Sequence, residues 1–163
     1  MLDPQDAAYY QSVIGILCWI VELERCDICA EVSMLASCLA MPRVGHLGQV
    51  YQIFGYLKAH HNAEMIFDRS NPDIDLKAFK KQEWVGTVYG EDLEEDIPPN
   101  APKPRGRDMR MRVFVDSDHA GDTVSRKSRT GFFVFLQCAP IYWCSKKQGG
   151  IETSSFGAEY LAM

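Results

Sequence analysis

The stretch Arg110-Met111-Arg112-Val113-Phe114-Val115-Asp116 constrains the fold most, because its apolar run stops on a carboxylate. Val113 and Val115 alternate with Arg112, Phe114 and Asp116, the period of a strand. It reads as a buried strand that delivers an acidic group to its end. A strand is a rigid mount, and carboxylates at strand ends are a common way to hold divalent metal ions. Asp118 and Asp122 flank the Ala120-Gly121 opening, so three aspartates fall within seven residues and offer oxygen ligands. Asp and Gly after a strand are also ordinary turn chemistry. Spacing alone leaves both readings open.

The chain before that strand divides in two. Residues 1–62 carry helical stripes: Tyr10, Val13, Ile14, Leu17, Ile20 and Val21 recur at helix spacing, with Asp6 as the expected N-cap and Pro4 just ahead. Asp27 is expected to cap a second helix through Ile28, Val32, Leu35 and Leu39. Pro42 ends it and suits the start of a third helix, where Leu47, Val50, Phe54 and Leu57 share a face. Three amphipathic helices make a small bundle whose stripes are core. Residues 63–109 read as a linker. Met65-Ile66-Phe67 is a candidate short strand, Asn71-Pro72-Asp73 a turn, and residues 91–96 an acidic run. Pro98, Pro99, Pro102 and Pro104 then stiffen the chain.

After Asp116, Phe132 to Leu136 and Ile141 to Cys144 read as two further strands joined by Gln137-Cys138-Ala139-Pro140. Ser154 or Ser155 is placed to cap a helix that carries Glu159. The fold class is therefore α+β: a three-helix unit followed by a β-β-β-α unit over 110–163.

Charge follows the same division. Residues 1–70 hold 4 basic and 8 acidic side chains, residues 71–100 hold 3 and 8, and residues 101–163 hold 10 and 6. The last third is thus the part most compatible with a phosphate backbone, although such a segment also suits a solvated face. No apolar run approaches the roughly 18 residues needed to span a bilayer, and Asp3 and Asp6 stand where a signal peptide needs positive charge. The reading is a soluble intracellular chain, cytoplasmic or nuclear, with no membrane partner. Cys26-Asp27-Ile28-Cys29 has the spacing of half a zinc site, but no second pair follows at finger spacing. The six cysteines are expected to be reduced thiols.

Four blocks in order carry a resemblance: Asp116-Ser117-Asp118-His119-Ala120-Gly121-Asp122, Arg126-Lys127-Ser128-Arg129-Thr130-Gly131-Phe132, Trp143-Cys144-Ser145-Lys146-Lys147-Gln148, and Ala158-Glu159-Tyr160. This succession closely resembles the ribonuclease H region of copia-type LTR-retrotransposon Pol polyproteins. The helical half also fits, through Tyr10-Gln11-Ser12-Val13-Ile14-Gly15-Ile16-Leu17, Asp27-Ile28, Ser33-Met34-Leu35-Ala36-Ser37 and Tyr56-Leu57-Lys58. Cys26 stands where the family usually has Pro.

The resemblance implies a reverse-transcriptase thumb/connection-like unit over 1–62 and the first part of a ribonuclease H-like domain over 110–163. It implies that Asp116 and Glu159 are two of four metal-ligating, catalytic acids, with Asp118 and Asp122 weaker candidates that the family places in the loop. The implied cofactor is Mg²⁺ or Mn²⁺, and the chemistry is two-metal hydrolysis of the RNA strand of an RNA–DNA hybrid. Arg126, Lys127, Arg129, Lys146 and Lys147 are the implied nucleic-acid contacts, and the rest of the Pol polyprotein is a partner. The other two acids are expected downstream of Met163, so the chain reads as an internal fragment, inactive alone.

His119 replaces a frequent Trp and is not read as catalytic. With the later strands missing, the Asp116 strand is expected to show a bare edge that invites self-association, and to be less ordered than the helical half. The alternative is a non-catalytic module that binds nucleic acid or itself. A hydrolase built on His60, His61 or Ser155 lacks a nucleophile–base–orienter set.

Overall fold

Pro4 begins the first helix, since a proline at N1 gives up no intrahelical hydrogen bond. In the computed structural model, which describes residues 1–74, 98–103, 105–106 and 108–163, α1 runs Pro4–Leu23. Its N-cap is Asp3 and not the expected Asp6: the Asp3 carboxylate accepts the Asp6 N–H at 2.8 Å. A single 3₁₀ turn (Cys26–Ile28) leads into α2 (Cys29–Ala36), and α3 spans Val44–Ala59. Asp27 does not cap α2, because Arg25 holds its carboxylate through two hydrogen bonds and Tyr56 donates to it at 2.9 Å. Leu39 lies past the end of α2 yet packs on the core, and Pro42 stays outside α3, whose N-cap is Arg43. Of the α3 stripe, Val50 is fully buried and is joined by Ile53, while Leu47, Phe54 and Leu57 are half-buried against it.

The core sits in this helical unit. Tyr10, Val13, Ile14, Leu17, Val21, Ile28, Val32, Leu35, Val50 and Ile53 form one buried cluster. Tyr10 donates its hydroxyl to the Leu35 carbonyl at 2.8 Å, tying α1 to α2.

Residues 65–67 form no strand. The acidic run 91–96 and Pro104 lie outside the described residues. The last third forms β1 (Met111–Asp118), β2 (Arg129–Leu136), β3 (Ala139–Lys147) and α4 (Ser155–Ala162), capped by Ser154. The strands make an antiparallel sheet in the order β1-β2-β3, so the described residues are α+β with four α-helices and three strands. The β2–β3 turn is only Gln137-Cys138. Ala139 and Pro140 are already in β3, and the register shifts between Val134 and Phe135. Ile141 is the extra residue of that bulge, the kind of place where a strand tolerates proline.

The reading of β1 as buried is corrected. Its residues are exposed or half-exposed, with Val113 at 52% and Phe114 at 55%. An apolar alternation reports strand geometry, whereas burial depends on what packs over each face, which is non-local. The sheet meets the helical unit through β3: Trp143 packs against the core and donates its indole N–H to the Val21 carbonyl at 3.0 Å.

Candidate functional site

Antiparallel pairing sets which way each β1 residue points. Gln137, opposite Arg110 in the β1–β2 register, donates its N–H to the Arg110 carbonyl at 2.8 Å. Opposed residues that bond in this way alternate along a ladder. Arg112, Phe114, Asp116 and Asp118 therefore direct their backbone groups to β2, and Met111, Val113, Val115 and Ser117 direct theirs to the free edge. Asp116 lies opposite Gly131 and is exposed, and its carboxylate makes no hydrogen bond among the described residues. It is the one carboxylate of the β1 end that the loop does not use.

Asp118 and Asp122 build the β1–β2 connection. Asp118 accepts the Arg129 N–H, and a Cβ on Gly121 would run into the Asp118 carboxylate and force it to give way. Asp122 accepts from the N–H groups of Val124 (2.9 Å) and Ser125 (3.1 Å) and from the Ser125 hydroxyl (2.7 Å). The Lys147 ammonium also bonds it. Lys147 foremost, then Ser125, holds the Asp122 carboxyl well below the usual carboxylate range. The buried Ser128 hydroxyl accepts the Ala120 N–H at 3.0 Å.

Glu159 is half-buried on α4, which packs on β1 and β2. Gln148 anchors the helix: its amide donates to the Ala158 carbonyl at 2.9 Å and to Thr130 Oγ1 at 3.0 Å. Strand alternation puts Thr130 and its neighbour Ser117 on one face of the sheet. Asp116 shares the other face with Phe114, Phe133 and Trp143. The structure brings the Glu159 helix to the Asp116 strand but joins the two carboxylates by no shared contact. Sequence reasoning had not singled out Gln137 or Gln148 as organising residues. Both are buried polar side chains that stitch backbone segments together, and a lone glutamine carries no signal of that role.

Three of the five basic residues have structural partners. Lys127 donates to the Gly149 carbonyl at 2.6 Å, Arg129 to the hydroxyls of Ser33 (2.5 Å) and Ser37 (3.4 Å), and Lys147 to Asp122. Arg126, with φ at 57°, and Lys146 are exposed, and their side chains have no partner among the described residues.

The described residues do not fit a Mg²⁺ ion by themselves. No group of three His, Cys, Asp or Glu side chains among them is placed to hold a metal. Mg²⁺ needs close to octahedral oxygen ligation, while Asp118 and Asp122 are spent on the loop. All six cysteines are free, and burial pushes the thiols of Cys18, Cys26 and Cys29 up, away from thiolate reactivity. His60 and His61 close α3 and Ser155 opens α4, with no contact between them. An open groove of about 600 Å³ between α2 and α3 is lined by Ile28, Met34, Leu35 and Ile53 together with Glu31 and the hydrogen-bonded Asp27 and Tyr56. No described helix is long and apolar enough to cross a membrane.

Comparison with known proteins agrees with the motif reading. The chain is 43% identical over 155 residues to the retrovirus-related Pol polyprotein from transposon RE2 of Arabidopsis thaliana, covering 95% of this chain and 8% of that one. It is 28% identical over 155 residues to the corresponding polyprotein from transposon RE1 of the same plant, with the same coverage. It is 44% identical over 162 residues to an uncharacterized mitochondrial protein of Arabidopsis thaliana, covering 99% of this chain and 50% of the relative. The chain thus spans only a small part of the polyproteins it matches. No family model and no solved structure matches it.

Proposed function

From a chain that is a relative of copia-type retrotransposon Pol polyproteins over nearly its whole length, we propose that it is the Pol segment running from reverse transcriptase into ribonuclease H. The helical unit is then the thumb/connection-like part and the sheet with α4 the opening of a ribonuclease H-like domain. Asp116 and Glu159 contribute to a Mg²⁺-binding carboxylate site for hydrolysis of the RNA strand of an RNA–DNA hybrid, a site that needs ligands from elsewhere in the polyprotein. The observation that carries this reading is the correspondence itself, which crosses both halves of the chain in one alignment.

The exposed, uncommitted Asp116 carboxylate supports it. Exposed Arg126 and Lys146 are the basic groups left to meet a phosphate backbone. No hydrolytic step is assigned to these residues alone, because they leave a metal pair short of oxygen ligands. The test adds Mg²⁺ or Mn²⁺ and a labelled RNA–DNA hybrid to the chain and to Asp116→Asn. The expected result is an uncut RNA strand in both. Cleavage lost in Asp116→Asn would show that the site is complete after all. Cleavage untouched by that substitution would sink the assignment.

A further inference from the structure

Arg129 stands where the sheet meets the helical unit. It opens β2, opposite Asp118 at the end of β1 and Lys147 at the end of β3. Its N–H donates to the Asp118 carboxylate, so its backbone helps to close the β1–β2 loop. Alternation along β2 puts its side chain on the face of Phe133 and Trp143, the face turned to the helices. There the guanidinium donates to the hydroxyls of Ser33, at 2.5 Å, and Ser37, at 3.4 Å. Ser33 in turn donates to the Ser145 carbonyl of β3 at 2.6 Å. One hydroxyl thus joins the start of β2, the end of β3 and α2.

The chemistry of the two groups makes this tie directional. A guanidinium is a planar fork of fixed donors, whereas an ammonium is a point charge on a flexible stem. Ser33 and Ser37 are four residues apart and so stack on one side of the helix. Two nitrogens of one fork that meet two stacked hydroxyls fix the rotation of the side chain as well as its reach. Ser33 is half-buried, where a bond to a charged donor is stronger than in water. The Trp143 bond to Val21 holds β3 alone. Arg129 holds the helix at one end and the loop carboxylate at the other.

We propose that Arg129 is a positioning residue that fastens the β1–β2 loop to α2, so that the seat of the helical unit sets the acidic end of β1. Its guanidinium is then spent inside the molecule and is not offered to a phosphate backbone. Every donor and acceptor of the tie is supplied by this chain, and the tie holds whether or not Asp116 binds a metal.

Amide exchange followed by nuclear magnetic resonance on the whole chain tests the proposal. The amides read are those of residue 129 and of Asp122, whose N–H donates to the Lys127 carbonyl at 3.2 Å. Ser33→Ala removes the shared hydroxyl while favouring the helix, so α2 itself is not weakened. It is expected to speed exchange at both amides about fivefold or more, with Leu17 and Val50 unchanged. Arg129→Lys keeps the charge but not the fork, and is expected to do the same. The double variant is expected to match either single one, because all three break one tie. Separate guanidinium Nη resonances, the signature of hindered rotation, are expected in the wild type and lost in Ser33→Ala. Loop amides untouched by Ser33→Ala, effects of the two substitutions that multiply, or a freely rotating wild-type guanidinium would overturn the proposal.

Discussion

The helical unit and the sheet differ in how far each is finished. The helices bury ten apolar side chains in one cluster, with Tyr10, Leu17 and Val50 wholly out of water. The three strands bury no apolar residue fully, and Phe114, Val113 and Met111 stay open to solvent. Their order comes from the ladders, from glutamine-centred hydrogen bonding, and from Trp143 reaching into the helical core. Apolar burial supplies most folding free energy, so the helical unit is the stable body and the sheet leans on it. What distinguishes the two is packing around them, because both carry good local patterning.

Substitutions measure that difference, and the largest effect belongs to the core. Leu17→Ala leaves a cavity where nothing can collapse and is expected to cost about 2–5 kcal/mol, while Phe114→Ala, half in water already, costs roughly 1 kcal/mol or less. Urea unfolding of both variants checks this, and equal losses would break the contrast. Gly121→Ala comes next: its Cβ collides with the Asp118 carboxylate and releases the Arg129 N–H, at about 1–3 kcal/mol. Thermal melts that leave this variant level with wild type would show that the loop is adaptable.

Tyr10→Phe removes the buried bond to the Leu35 carbonyl, which keeps its bond from the Cys38 N–H at 2.9 Å, and is expected to cost about 0.5–1.5 kcal/mol. Burial, and after it the nearby Cys38, pushes the Tyr10 hydroxyl up to about 12. The folded state then keeps a proton that the unfolded chain gives up near pH 10. Stability from this group is complete below pH 10 and falls as pH rises toward about 12. Absorbance titration should show one tyrosine ionising last.

The smallest effect is at the surface. The Asp122 carboxyl is held low by Lys147 and Ser125. Its contribution is present above the unfolded value of about 3.9 and fades as pH falls from about 5 toward the lowered folded value. The melting-temperature gap between wild type and Asp122→Asn should therefore narrow from pH 6 to pH 3, by about the range over which carboxylates titrate. A gap that is constant with pH would contradict the role given to its charge.

Much of this was legible in the residues. Five of the six α1 stripe positions named from spacing are buried, the β-β-β-α order appears as read, and of the two serines offered as caps it is Ser154 that caps α4. The Asp3 cap was readable too, since a proline at N1 points to the residue before it. Asp27 was not, because Arg25 and Tyr56 compete for its carboxylate from a neighbouring turn and another helix. Pro140 reads as a turn until a bulge admits it to a strand. The buried Gln137, at φ 58°, has no local signature at all: its bonds run to Asn71, Asp108 and Arg110. Of the candidate site, the motif offers Asp116 and Glu159, and which face of the sheet each takes depends on how α4 seats, which spacing does not encode.

Amide hydrogen exchange, followed residue by residue, tests the contrast most directly. Slow exchange is expected at Ile14, Leu17 and Val50, with fast exchange at Val113, Val115 and Ser117 and intermediate rates at Phe114 and Asp116 between them. Uniformly slow exchange along residues 111–118 would mean that β1 is covered and the sheet complete, contradicting the account.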